Sequence, residues 1–344
     1  MEHGRRPPPE GIRLLSHRPS VLAKLLPLTG GGHAPDFDFA DEGLVVEGPD
    51  WQERLTRMLA TLPAGEREEL YAVWLADELA LPLPVVRILD RARTAWFPHF
   101  LTRGRWLPSF RPVADLATGR VEGHEVVMRG CLDDDEMTPA ELVLGAEAHD
   151  SIHVFDRRSR MVALEVGLPT LAPGELLFVP FDSRAVVDLE SSLNATWPTV
   201  ARHRGPGAGI CLQLSSAHAA PDLGIVAAVA GAHRERGALI ALHDFSGAPD
   251  SLACLEAIRP DFATLDPSLT GRIRSSPARR VLISSLVALA HERGARVVAD
   301  GIEGREDREL ALALGVDCGT GGLLGSPAPA AGPAPVVASP TPAR

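Results

Sequence analysis

The sequence predicts an α/β fold over residues 105–327: a TIM-like (β/α)8 barrel with an antiparallel first strand pair, preceded by a small helical region. Three observations predict it. From residue 108 onward, short β-rich runs alternate with helical patterns. All but the first of the connections between those runs are long enough to return the chain for parallel pairing. Acidic residues recur in or just after the runs, where the strand ends of a barrel converge on one rim. A doubly wound open sheet is the runner-up, disfavoured because no glycine-rich phosphate loop follows an early strand.

Taken in order, residues 1–49 are rich in Pro, Gly and His and include the patternless GGGHAPDFDFADEG. They are expected to be mostly disordered, with a short helix around Arg18–Leu28. Residues 50–104 read as a helical region and linker. Asp50 can cap WQERLTRMLATL, and Pro63–Ala64–Gly65 breaks it. EREELYAVWLADELA sets Leu70, Val73, Trp74 and Leu79 at helical spacing, and Pro84 opens VVRILDRARTAWFPHFLTRG. Three such amphipathic helices would make a small bundle or a dimerising cap, with Trp74 and Trp96 as packing residues.

The barrel strands expected next are SFRPVADL, GHEVVMRG, ELLFVPFD, GICLQLSS, ALIALHDF, DFATLD, ARVVADGI and CGTGGLLG. Only the hairpin-length DLATGRVEG joins the first two, so that pair should be antiparallel. Helical runs separate most of the others, and the total of roughly 220 residues suits a barrel of this kind. Residues 328–344 form a Pro/Ala tail expected to be disordered.

Composition narrows the function. A chain of 344 residues that is 45% apolar can build a large core and a small second domain. The formal charge of -11, with scattered arginines, disfavours a nucleic-acid polymer as partner, although a local pocket can still be cationic. No apolar run approaches the ~20 residues that span a bilayer. The first residues lack the apolar core and cleavage site of a secretory signal. Cys131, Cys211, Cys254 and Cys318 are far apart without metal-binding spacing, which fits reduced thiols in a cytoplasmic protein.

Glu125, Asp182, Asp244, Asp266, Asp300 and Glu303 each lie in or just after an expected strand. Gathered on one rim, these carboxylates would repel one another unless a cation or a shared proton offsets them. Any one of them alone is better read as a helix cap or a solvated loop residue. The series points to a site, and its oxygen-rich character suits Mg²⁺ or Mn²⁺.

FRPVADLATGRVEGHEVVMRG resembles the opening of an EAL domain, the module that hydrolyses the bacterial second messenger cyclic di-GMP. ALHDFSGAPDSLACLEAIRPDFATLDPSL resembles that family's DDFG and KxD segments, and RVVADGIEGREDRELALALGVDCGTGGLLGSP resembles its AEGVE and QGYL segments. The likeness runs in register from about Phe110 to Pro327, and WFPHFLTRGRW is similar to the linker before some EAL domains. Active members use a two-metal centre to activate the attacking water.

The resemblance implies metal-binding positions at Glu125, Asp244, Asp300 and at His243, which stands where a metal-bridging aspartate is expected. It implies catalytic positions at Glu303 and Asp266, and ligand-phosphate contacts at Arg129 and at Arg111, the latter replacing a glutamine. Other positions depart from the pattern. Pro180 replaces an asparagine, Gln213 and Ser216 replace glutamates, Thr264 a lysine and Thr320 a glutamine. Asp300 is one methylene shorter than the expected glutamate, and EAL itself reads EVV.

With several charge-stabilising groups replaced at once, hydrolysis of cyclic di-GMP is not expected. The first reading is a catalytically inactive signalling domain, either a receptor for cyclic di-GMP or another nucleotide, or a scaffold for a protein partner. No cofactor is expected; Mg or Mn would be the metal if a site survives. The alternative is a metal-dependent phosphodiesterase in which His243, Asp244, Glu125 and Asp266 hold one ion. EAL barrels often pair, so the resemblance also implies a homodimer.

Overall fold

The computed structural model describes residues 11–28, 43–76, 81–186, 188–215, 222–271 and 273–329. The chain divides into two compact units, one running to Thr102 and including Ala140–Asp150, the other comprising Arg103–Pro139 and the chain from Ser151.

The first unit is a four-stranded antiparallel sheet with helices. Its strands are β1 (Gly11–Ser16), β2 (Leu44–Glu47), β3 (Leu70–Trp74) and β4 (Leu83–Pro84), in the order β2-β1-β3-β4. Its helices are α1 (Pro19–Leu25), α2 (Trp51–Ala60), α3 (Ala64–Glu68), α4 (Val85–Arg93), α5 (Phe97–Arg103) and α6 (Pro139–Ala148). Ile12 and Leu14 alternate into one core with Leu22, Trp51, Leu55 and Ile88.

Two expectations fail here. Gly11–Ser16 and Leu44–Glu47 are paired strands, although residues 1–49 carried no visible periodicity. Leu70–Trp74 is a strand, not part of a helix. Leu70 and Ala72 are buried on alternate positions against β1, so pairing with a distant strand selects period 2 over the helical spacing that Leu70, Val73 and Trp74 equally satisfy. The helix expected around Arg18–Leu28 is present as α1 and a 3-10 turn to Leu28. Asp50 sits at the N-cap of α2 without accepting a capping hydrogen bond; it lies 3.7 Å from Arg54 instead. Most of GGGHAPDFDFADEG lies outside the described residues.

The second unit is the expected barrel. Its strands are β5 (Arg105–Asp115), β6 (Val121–Leu132), β8 (Leu176–Phe181), β9 (Gly209–Ser215), β10 (Leu239–Phe245), β11 (Phe262–Leu265), β12 (Arg296–Ala299) and β13 (Cys318–Gly319). A short β7 (Asp135–Met137) extends the β6 edge. The strands follow the order β5-β13-β12-β11-β10-β9-β8-β6, and β5–β6 pairing closes the ring. β5 runs antiparallel to both neighbours and the other barrel strands pair in parallel. Reversing only β5 is what the hairpin-length turn before β6 requires.

The crossovers carry α7 (Ile152–Gly167), α8 (Leu189–His203), α9 (Leu223–Glu235), α10 (Pro249–Ile258), the short α11 (Pro267–Thr270), α12 (Pro277–Glu292) and α13 (Arg305–Ala313). Inside the ring, Val113, Phe178, Cys211, Ala241, Phe262, Val298 and Cys318 form a buried layer, with Phe178 and Phe262 edge to face at 5.2 Å. All four cysteines are free and buried. The expected tail begins with structure: the backbone of Ala328 exchanges two hydrogen bonds with Phe110 of β5, because β13 is too short to cover that strand. Residues from 330 onward lie outside the described ones. Among the described residues, no helix is long and apolar enough to cross a membrane.

Candidate functional site

Strand register assembles the rim. Glu125 faces inward from β6, with Arg111 directly opposite it on β5. Pro180 of β8 is in register with Gln213 of β9, and Ser215 with His243 of β10. Asp300 follows β12 and Thr320 follows β13. Asp244 takes a left-handed backbone, φ 59°, where β10 is irregular against β11. Such conformations cost a non-glycine residue ~1–3 kcal/mol and cluster at functional sites.

Arg111 is the hub. Its Nε and Nη2 donate to Glu125 Oε2 at 3.1 and 2.5 Å. Nη1 and Nη2 donate to Asp300 at 2.7 and 3.3 Å. Thr320 Oγ1 donates to the same Asp300 at 2.8 Å. The other oxygen of Glu125 accepts from Gln213 Nε2 at 2.9 Å and lies 3.5 Å from His243 Nε2. His243 Nδ1 is 2.9 Å from Asp244 Oδ1, whose other oxygen accepts from Ser215 Oγ at 3.2 Å. One network therefore runs Thr320–Asp300–Arg111–Glu125–His243–Asp244–Ser215.

Its electrostatics follow. Burial works against a charged His243, but hydrogen bonds to Asp244 and Glu125 and the charge of both outweigh it and raise the pKa to about 10. Burial would raise Glu125, yet the His243 hydrogen bond and the Arg111 charge hold its carboxyl well below the usual carboxylate range. Asp244 is lowered as well: burial opposes this, and the His243 hydrogen bond and charge prevail. Near neutral pH the Glu125 and Asp244 carboxylates therefore face the Arg111 guanidinium and the His243 imidazolium, and Asp300 accepts from the far side of Arg111.

A divalent ion does not fit this donor set. Both oxygens of Glu125 point at N–H donors, and Arg111 lies between the two carboxylates that would share a metal. A cation placed there would meet a fixed positive charge. Among the described residues, no group of three or more His, Cys, Asp or Glu is arranged to hold a metal. Four of the metal positions implied by the resemblance (Glu125, Asp244, Asp300, His243) do converge, but on protein cations.

The remaining positions take other partners. Asp266 caps α11, accepting from Ser268 N at 2.7 Å. Glu303 is exposed and accepts from Gly322 N at 3.2 Å. Asp182 is held by Arg184 at 2.6 Å. Arg129 lies four residues beyond Glu125 on β6 and pairs at 2.5 Å with Glu136, both well exposed. Thr264 is buried and Pro180 is exposed on its strand. Ser216 lies outside the described residues. Ser215 was not singled out by sequence reasoning; its only signal was its place at the end of GICLQLSS.

Comparison with known proteins bears on the same region. A family model described as "EAL domain" matches residues 94–327. Cyclic di-GMP phosphodiesterase PdeF of Escherichia coli (strain K12) is 34% identical over 96 residues, covering 28% of this chain and 13% of that protein. The probable cyclic di-GMP phosphodiesterase PdeD of the same strain is 31% identical over 90 residues, which cover 26% of this chain and 17% of that protein. Both matches thus span less than a fifth of the relative. Among solved structures, an EAL domain protein from Listeria monocytogenes EGD-e superposes with TM-score 0.60 at 18% identity, covering 69% of this chain and 94% of that one. The FimX EAL domain of Xanthomonas citri in complex with c-diGMP gives TM-score 0.59 at 20% identity, covering 70% and 96%. These structural likenesses show the barrel fold.

Proposed function

Because this chain belongs to the EAL domain family, we propose that it is a non-hydrolytic member, a signalling domain that works by binding a nucleotide or a protein partner rather than by turnover. The observation that carries the proposal is the Arg111 guanidinium clamped between Glu125 and Asp300. Two-metal hydrolysis needs carboxylates that face cations able to polarise a water. Here the carboxylates face N–H donors, and no oxygen of Glu125 is left to act as ligand or base. The test is a hydrolysis assay with cyclic di-GMP in saturating Mg²⁺ or Mn²⁺. No linear or mononucleotide product is expected; metal-dependent turnover that Glu125→Gln abolishes would overturn the reading.

Between scaffold and nucleotide receptor, the commitment of Arg111 favours a scaffold for a protein partner. Its charge is neutralised by two carboxylates and is not available to a phosphate. One observation favours the receptor: Arg129 is paired only through an exposed contact, worth ~0–1 kcal/mol, that a ligand phosphate could displace. Calorimetry separates the two. Binding of cyclic di-GMP that disappears in Arg129→Ala assigns the receptor role, and silence assigns the scaffold.

A further inference from the structure

Away from the rim, a cleft of about 180 Å³ opens between α7 and α8, beside the end of β8. Its floor holds Arg160, 3% exposed, whose Nη1 donates to the also buried Asp156 at 2.7 Å. The guanidinium lies 4.2 Å over the Phe181 ring. Its Nε is buried with no acceptor. That N–H is therefore uncommitted, on a guanidinium whose planar fork suits a carboxylate.

A second buried donor faces the same space. Trp197 Nε1, which can only donate, is 3.1 Å from His233 Nδ1, so that nitrogen carries no proton. The ring is neutral, since burial and then the nearby arginine charges lower its pKa to about 4. The remaining proton sits on Nε2 and is donated to Ser192 Oγ at 3.0 Å. Ser192 thus has its acceptor role filled and its own O–H to give, while only 7% exposed on the cleft wall.

The acidic groups there are already engaged. Asp156 binds Arg160 and accepts from Asp182 N at 2.9 Å. Asp188 caps α8, accepting from Ser191 N and Oγ, both at 2.7 Å. Arg157 at the exposed mouth adds positive charge, and the α8 N-terminus adds a partial one. Phe181, Ala185 and Ala195 supply apolar wall. The volume slightly exceeds the ~150 Å³ that accommodates benzene.

We propose that this cleft binds a small organic carboxylate, held by the Arg160 guanidinium and the Ser192 hydroxyl, with its apolar body against Phe181 and the two alanines. The inference does not depend on the chemistry of the rim.

Calorimetric titration of the full chain with sodium benzoate, and separately with inorganic phosphate, tests it. Benzoate is expected to saturate one site. Ser192→Ala should weaken it by about tenfold, the usual effect of removing a hydrogen bond to a charged group. Ala185→Leu, which fills the cleft without touching the ion pair, should abolish it. No saturable benzoate binding, binding that survives Ala185→Leu, or phosphate binding as tightly as benzoate would each overturn the proposal. Arg160→Ala is avoided because it would strand Asp156 without its counter-charge.

Discussion

An ordinary histidine gives up its proton near pH 6.5, but His243 lies 2.9 Å from Asp244 and 3.5 Å from Glu125. Its contribution to stability is full below pH 6.5 and is lost progressively as pH rises from there through about 10. Glu125 and Asp244 behave oppositely. Their contributions are present above the ordinary carboxylate range and are lost only as pH falls through their lowered values. The His243 ring protons should therefore show no titration step in an NMR series from pH 6 to 8; a step near 6.5 would mean that the cluster is not formed. His243→Asp makes a sharper test, since it puts a third carboxylate beside Glu125 and Asp244 and removes the imidazolium. Losing one partner of a fully buried ion pair costs ~3–5 kcal/mol and less where, as here, the pair is half-buried, so the variant should melt below the parent. Mn²⁺ should leave the parent's Tm unchanged and recover part of that loss only when Arg111→Gln is added.

Strand pairing delivers these side chains to one place, and β6 approaches β8 closely at Gly123. A Cβ on Gly123 would lie 2.1 Å from the carbonyl oxygen of Leu176, its neighbour across the pair. Gly123→Ala should cost more than about 2 kcal/mol in denaturant unfolding, and it should also disturb the rim, because Glu125 is two residues further along the same strand. All eight barrel strands were legible in the sequence. Each is a short β-rich run, and the hairpin-length DLATGRVEG gave the one reversed direction. The first unit's sheet was not legible, because GIRLLS and LYAVW are too short to declare a period without the partner strand. At the site, Glu125, Asp244 and Asp300 were readable from their strand-end positions and His243 from the family resemblance, whereas Asp182, Asp266 and Glu303, read the same way, take other partners. The role of Arg111 was not readable. Its sequence context suggested a phosphate contact, and only its closure onto Asp300, 189 residues away, shows it acting as an internal counter-ion.

Across the whole molecule, the acidic chain carries a formal charge of -11, yet its rim carboxylates face cations of the protein itself, Arg111 and His243. The -11 should still draw Mg²⁺ and Mn²⁺ weakly to the surface, and such binding is screened by salt. A rim site would differ in being stoichiometric, salt-resistant and dependent on Glu125. The most direct measurement is thus an equilibrium titration of the full chain with Mn²⁺, followed by EPR at physiological salt and pH 7.5. With Arg111 and His243 serving as the rim's cations, no stoichiometric Mn²⁺ should bind, and Arg111→Gln combined with His243→Asp should create a site. One or two equivalents bound tightly by the unmodified protein, and lost in Glu125→Gln, would contradict it.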